Sequence, residues 1–137
     1  MIQFFSKNHF IPENQKALID WIEKVVIFHQ GKIVQIHYIF CNDHDLLKIN
    51  QEFLQHNDYT DIITFDDSIG KQLEGEIYIS TDRVQENANN FKVDFEEELR
   101  RVLIHGVLHL LGFKDKTLQQ KNQMTEKENE ALQLYKL

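Results

Sequence analysis

The chain has 137 residues, a formal net charge of −7, and a composition that is 42% hydrophobic and 27% charged. These totals suit one domain spanning residues 1–137, able to bury roughly two thirds of its unfolded surface, and they exclude a disordered or fibrous chain. The single cysteine, Cys41, excludes an intrachain disulfide and a cysteine-based zinc cluster, while the acidic balance argues against indiscriminate binding to polyanions.

Polar residues interrupt MIQFFSKNHFIPEN where a signal peptide needs an unbroken apolar run, and no stretch approaches a membrane span of about 18 apolar residues. A soluble, cytoplasmic protein with no membrane partner is expected. MIQFF reads as a short first strand. Pro12 at a helix start and Gly31 just past its end bracket ENQKALIDWIEKVVIFHQ as a helix, with Leu18, Trp21, Ile22 and Val25 on its apolar face. KIVQIHYIF is β-branched and aromatic throughout and reads as a strand. Asn42 or Asp43 then caps a helix carrying Leu46, Leu47, Ile49, Asn50, Phe53 and Leu54, and polar QHND separates it from the strand TDIITF.

DDSIGKQ reads as a turn or flexible loop, and LEGEIYIS alternates Ile77 and Ile79 with polar neighbours, so a hairpin of these last two strands is the economical arrangement. In TDRVQENANNF, the residues Val84, Ala88 and Phe91 recur at helical spacing. Asp94 with Glu97 is a capping box for a long helix from about Phe95 to Leu111, ended by Gly112. Thr117 with Gln120 repeats that pattern and opens a last helix through Met124, Glu128, Ala131 and Tyr135. The sum is an α+β fold: a four-stranded mixed sheet packed with about five helices.

The chemistry gathers at HGVLHLLGFKDK, residues 105–116. His105 and His109 are one helical turn apart and project from one face. Gly112 lets the helix stop in a left-handed conformation, so that the chain folds back and Asp115 approaches the same point from another side. Two imidazoles and a carboxylate suit zinc with one coordination position open for water or substrate, and the hard oxygen of Asp115 shifts the preference toward manganese. Arg100, Arg101, Lys114 and Lys116 add local positive charge. The zinc-protease pattern H-E-x-x-H places a general-base glutamate directly after the first histidine; Gly106 stands there instead, which leaves peptide hydrolysis as a secondary alternative.

HGVLHLLGFKD resembles the H-G-x-L-H-L-x-G-Y-D-H signature of the YbeY family of bacterial ribosomal-RNA maturation endoribonucleases. Ile49-Asn50, TDIITF and GEIYIS resemble that family's Leu-Asn, P-T-D-V-L-S-F and G-D-I-x-I-S segments in the same order, over about residues 30 to 135. The resemblance implies a metal-dependent, single-strand-specific endoribonuclease of α+β fold, acting in 16S ribosomal RNA 3′-end maturation and ribosome quality control. Its partners would be single-stranded ribosomal RNA and the small ribosomal subunit with its proteins. It also implies His105, His109 and Asp115 as metal ligands, Asp115 standing where the family has a third histidine. Phe53 and Leu54 stand where the family commonly has Tyr-Arg, so an arginine with a catalytic part is absent, and Lys114, Lys116 or Arg101 are the cations that can replace it. Asp61 and Glu76 are carboxylates inside the matched segments and candidates for proton transfer or substrate positioning. The two departures also leave open a ribosome assembly factor whose metal is mainly structural.

Overall fold

The computed structural model describes residues 1–56 and 59–135. Asn57 and Asp58, at the end of the polar QHND break, lie outside the described residues. Nine elements follow in order: β1 (Ile2–Ser6), α1 (Gln15–Phe28), β2 (Lys32–Cys41), α2 (Asp43–Leu54), β3 (Ile62–Asp66), β4 (Gln72–Ser80), α3 (Thr81–Phe91), α4 (Phe95–Leu110) and α5 (Leu118–Tyr135). The four strands lie in the order β1-β2-β4-β3; β1 and β2 are parallel, β2 and β4 are parallel, and β3 closes the edge antiparallel to β4. The mixed sheet with five helices and the β3–β4 hairpin agree with the sequence reading.

Local signals account for most boundaries. The Asn42 side chain accepts from the Asp45 N–H and starts α2, and the Asp94 carboxylate accepts from the Glu97 N–H and starts α4. Thr117 and Gln120 form a reciprocal box: the Gln120 N–H donates to Thr117 Oγ1, and the Thr117 N–H donates to Gln120 Oε1. Helix α1 starts later than Pro12 implies, at Gln15, with Asn14 in the cap position but no side-chain cap bond. Its end also differs in mechanism. Gln30, with φ 64°, makes the left-handed turn, and Gly31 serves close packing, because a Cβ there would lie 3.0 Å from Val26 Cγ1 and 3.2 Å from the Lys71 carbonyl oxygen.

Helix α4 is the pivot of the molecule. It touches β3, β4, α1, α3 and α5 and buries Leu99, Val102, Leu103, Ile104, Val107, Leu108 and Leu110. Each such side chain, taken fully out of water, contributes about 1.5–3 kcal/mol before entropy is counted. The helix lies so close to β4 that a Cβ on Gly106 would meet Ile77 Cδ1 at 2.9 Å and Ile77 Cγ2 at 3.0 Å. The Tyr38 hydroxyl donates to the Leu103 carbonyl from inside the same core, and Trp21 Nε1 donates to the Ala131 carbonyl, tying α1 to α5. A smaller cluster of Cys41, Leu46 and Ile63 packs with Ile49, Phe65 and Tyr78. With one side of α4 fixed to the sheet, the side that carries the histidines is held at a set height above the edge strand.

Candidate metal centre

His105 and His109 lie one turn apart on α4, and Gly112, with φ 103°, turns the chain back so that Asp115 reaches them. The Phe113 N–H donates to the Leu108 carbonyl and the Gly112 N–H to the His109 carbonyl, which closes the helix end and fixes the reversal. The three donor atoms form a near-equilateral triangle. His105 Nε2 and His109 Nε2 are 3.0 Å apart, and Asp115 Oδ2 is 3.2 Å from each. Adjacent donors of a tetrahedral ion with bonds of about 2.0–2.1 Å stand about 3.3 Å apart, so the triangle fits one face of such a site. Among the described residues these three form the group that could hold a metal ion.

The imidazole of His105 is itself held. Its Nδ1 lies 2.6 Å from Glu128 Oε2, while Glu128 Oε1 accepts from Arg101 Nη1 at 2.9 Å and Arg101 Nη2 donates to Asn129 Oδ1. A carboxylate on Nδ1 places the proton there and leaves the Nε2 lone pair facing the other two donors. Burial works against protonation of His105, but the bond to Glu128 and the charges of Glu128, Asp115 and Asp61 outweigh it and raise its pKa. Negative charge thus favours a cation at the Nε2 side. Glu128 was visible in the sequence only as a charged residue in an otherwise apolar stripe with Met124 and Ala131.

The triangle opens into a cleft of about 1420 Å³ whose walls come from α2, β3 and the segment before it, α3, α4 and α5. Asp61 lines it, accepting a hydrogen bond from Asn87 Nδ2 at 3.2 Å; burial raises the pKa of its carboxyl, opposed by the His105 charge, its own backbone amide and Asn87. Glu98 lines it as well. Only 5% exposed, it has its pKa pushed up to about 7 by burial, with Arg101 opposing. Glu98, Arg101, His105 and His109 follow spacings of three, four and four along α4, so one stripe carries all four toward the cleft. Neither Glu98 nor Asn87 stood out in the sequence.

Two expected residues fall elsewhere. Glu76 is exposed on β4 and does not line the cleft; strand alternation sends it opposite to Ile77 and Ile79, which face the core. Lys114 is exposed and also outside the lining, whereas Lys116, whose backbone N–H donates to Gln120 Oε1, sits at the rim and lines it. Leu54 lines the same cleft, at the position of the expected arginine. Arg101 is engaged by Glu128 and Asn129, which leaves Lys116 as the cleft cation whose side chain makes no ion pair among the described residues.

A four-stranded sheet packed with helices, carrying at the helix-glycine turn after α4 two imidazoles and a carboxylate that could hold a metal ion beside an open cleft, defines the class of the protein. The family model described as Endoribonuclease YbeY matches residues 2–136. The chain belongs to that family. It is 52% identical over 134 residues to the Endoribonuclease YbeY of Christiangramia forsetii, covering 98% of this chain and 94% of that protein. It is 47% identical to the Endoribonuclease YbeY of Flavobacterium psychrophilum over 98% of this chain and 96% of the other. The fold is similar to the solution structure of a Thermotoga maritima protein, with a TM-score of 0.70 and 28% identity over 98% of this chain and 89% of that one.

Proposed function

We propose that this protein is a metal-dependent endoribonuclease specific for single-stranded RNA, acting in 3′-end maturation of 16S ribosomal RNA and in ribosome quality control. The observation that carries this reading is the triangle of His105, His109 and Asp115 at the mouth of a large cleft, in a chain of the YbeY family. Its partners are single-stranded ribosomal RNA and the small ribosomal subunit with its proteins. A cytoplasmic setting follows from those partners, and among the described residues no helix is long and apolar enough to cross a membrane.

His105, His109 and Asp115 would hold the ion, zinc by the imidazole pair or manganese by the hard oxygen of Asp115. A divalent ion there supplies Lewis acidity to a phosphodiester and to water. The chain supplies the rest. Glu128 fixes the tautomer of His105 and its aim. Asp61, with a carboxyl made more basic by burial, accepts the proton of the attacking oxygen. Lys116 opposes the charge that builds on the phosphate, a part that a guanidinium at position 54 would otherwise fill. An anionic third ligand lowers the net charge of the site by one and weakens its Lewis acidity relative to three histidines.

Gly106 speaks against peptide hydrolysis. It faces Ile77 with no room for a side chain, so α4 cannot carry a general-base glutamate at that position. Purified protein supplied with zinc or manganese should cut single-stranded ribosomal RNA, and His109→Ala and Asp115→Ala should not. Cutting that persists in both variants overturns the mechanism. No cutting by the wild type favours a ribosome assembly factor in which the metal mainly holds the α4–α5 turn, a reading that Leu54 in place of an arginine supports.

A further inference from the structure

The charges along the cleft are the wrong sign for a phosphate-binding channel. Asp61, Asp66, Glu97, Asp115 and Glu128 line it, against Arg101 and Lys116 as its fixed cations among the described residues. Arg101 is already committed to Glu128 and Asn129. Nonspecific affinity for nucleic acid ordinarily comes from phosphates meeting lysine and arginine, and one bound divalent ion does not reverse this balance. A single strand held here must therefore be gripped largely by its bases.

The same cleft provides surfaces for that. Tyr59 and Phe91 line it and stay 54% and 65% exposed, a poor arrangement for aromatic rings whose only task is packing. Tyr59 is fixed from behind: the Arg83 guanidinium sits 4.9 Å from its ring centroid and is itself anchored by Nε on Asp43. Phe91 is the last residue of α3, beside Lys92 in a left-handed cap, so the chain turns away and leaves the ring standing at the rim. Leu54, 42% exposed, adds apolar surface, while Thr60, Thr64 and Asn87 offer hydrogen bonds to base edges. These are the parts of a stacking platform for unpaired bases.

We infer that Tyr59 and Phe91 are base-stacking residues that hold single-stranded RNA in the cleft beside the metal triangle, so that base contacts rather than phosphate pairing carry most of the affinity. This rests on the nuclease reading for its ligand, but its geometry selects unpaired strands by itself, since a base inside a duplex offers neither ring a free face.

The test is binding of a single-stranded ribo-oligonucleotide carrying 2-aminopurine, followed by its fluorescence, in zinc-supplemented protein and again after EDTA treatment, which stops cutting. Stacking should quench the fluorophore. Tyr59→Ala and Phe91→Ala should each weaken binding by about 5- to 100-fold, Tyr59→Phe should restore most of that loss, and Phe28→Ala, an exposed ring on α1 outside the cleft, should change nothing. The slope of log K against log salt should be no steeper than about −1.4, as two cations on a single strand allow. Wild-type affinity in both alanine variants with unchanged circular dichroism, absent quenching, or a steep salt slope overturns the inference. Quenched binding without any cutting keeps the stacking site and sinks the nuclease reading, whereas cutting with unaltered KM in both alanine variants does the reverse.

Discussion

The two sides of α4 obey different rules. Toward β4 the helix is dry and crowded: Gly106 is pressed on Ile77, and Leu103, Val107 and Leu110 fill the core. Toward the cleft the same helix carries Glu98, Arg101, His105 and His109, four polar side chains that a stability criterion alone would replace with apolar ones. Position 106 is set by distance, whereas in the proposed function positions 105 and 109 are set by chemistry. A substitution on the packed side should therefore change stability and leave the chemistry intact, and one on the cleft side should do the opposite.

The strongest separation is expected from His109→Ala. Removing one of three donors should reduce RNA cleavage by at least about 10³-fold, or about 4 kcal/mol in the transition state, with Tm changed little. Single-turnover cleavage beside a melting curve measures both. Next comes Glu128→Gln, which keeps the shape but weakens the grip on His105 Nδ1 and leaves Arg101 without its anion. Loss of such a supporting carboxylate typically costs about 10–100-fold in metal affinity, which competition with a chromophoric chelator reads directly. An unaltered affinity would show that Glu128 serves the α4–α5 contact alone.

On the packed side, Gly106→Ala should invert the usual sign of a helix substitution. In an open helix the change gains about 1 kcal/mol, but crowding a filled core costs about 1–3 kcal/mol. With Ile77 fully buried, a net loss of up to about 2 kcal/mol and a Tm lower by up to about 8 °C are expected. A rise in Tm would mean that Ile77 yields freely. The smallest effect belongs to Glu98, the one member of the cleft stripe expected to act on stability. In the folded protein it keeps its proton up to about pH 7, while the ordinary glutamate value is 4.5. Between those two values the native state binds more protons than the unfolded one, so this group's contribution is complete below about pH 4.5 and is lost as pH rises through 7. Glu98→Gln should flatten that fall and stabilise the protein at pH 8 by about 1 kcal/mol, measured as Tm against pH.

Features decided by neighbours in sequence were legible before the structure. The caps at Asn42, Asp94 and Thr117, the reversal at Gly112 and the convergence of His105, His109 and Asp115 all follow from spacings of a few residues. What the sequence left open depended on distant partners. Glu76 alternates correctly within its strand, but only the position of α4 tells which side of that strand is the working side. Lys114 and Lys116 are equivalent in sequence, and the Gln120 bond together with the path into α5 separates them. Glu128 acquires its role because α5 crosses α4 at His105, 23 residues away in sequence. The left-handed residue after α1 is Gln30, and Gly31, one position on, is instead packed close against Val26 and Leu111, neighbours that the local sequence does not reveal.

If His105, His109 and Asp115 together hold one divalent ion, as we propose, the metal content of the protein depends on each of them. Elemental analysis of protein purified without chelator tests it most directly, on the wild type and on His109→Ala, each also after reconstitution with zinc and with manganese. One ion per chain in the wild type and a small fraction of that in the variant is the result predicted. Substoichiometric metal in natural and reconstituted wild type alike, or full occupancy in His109→Ala, would contradict it.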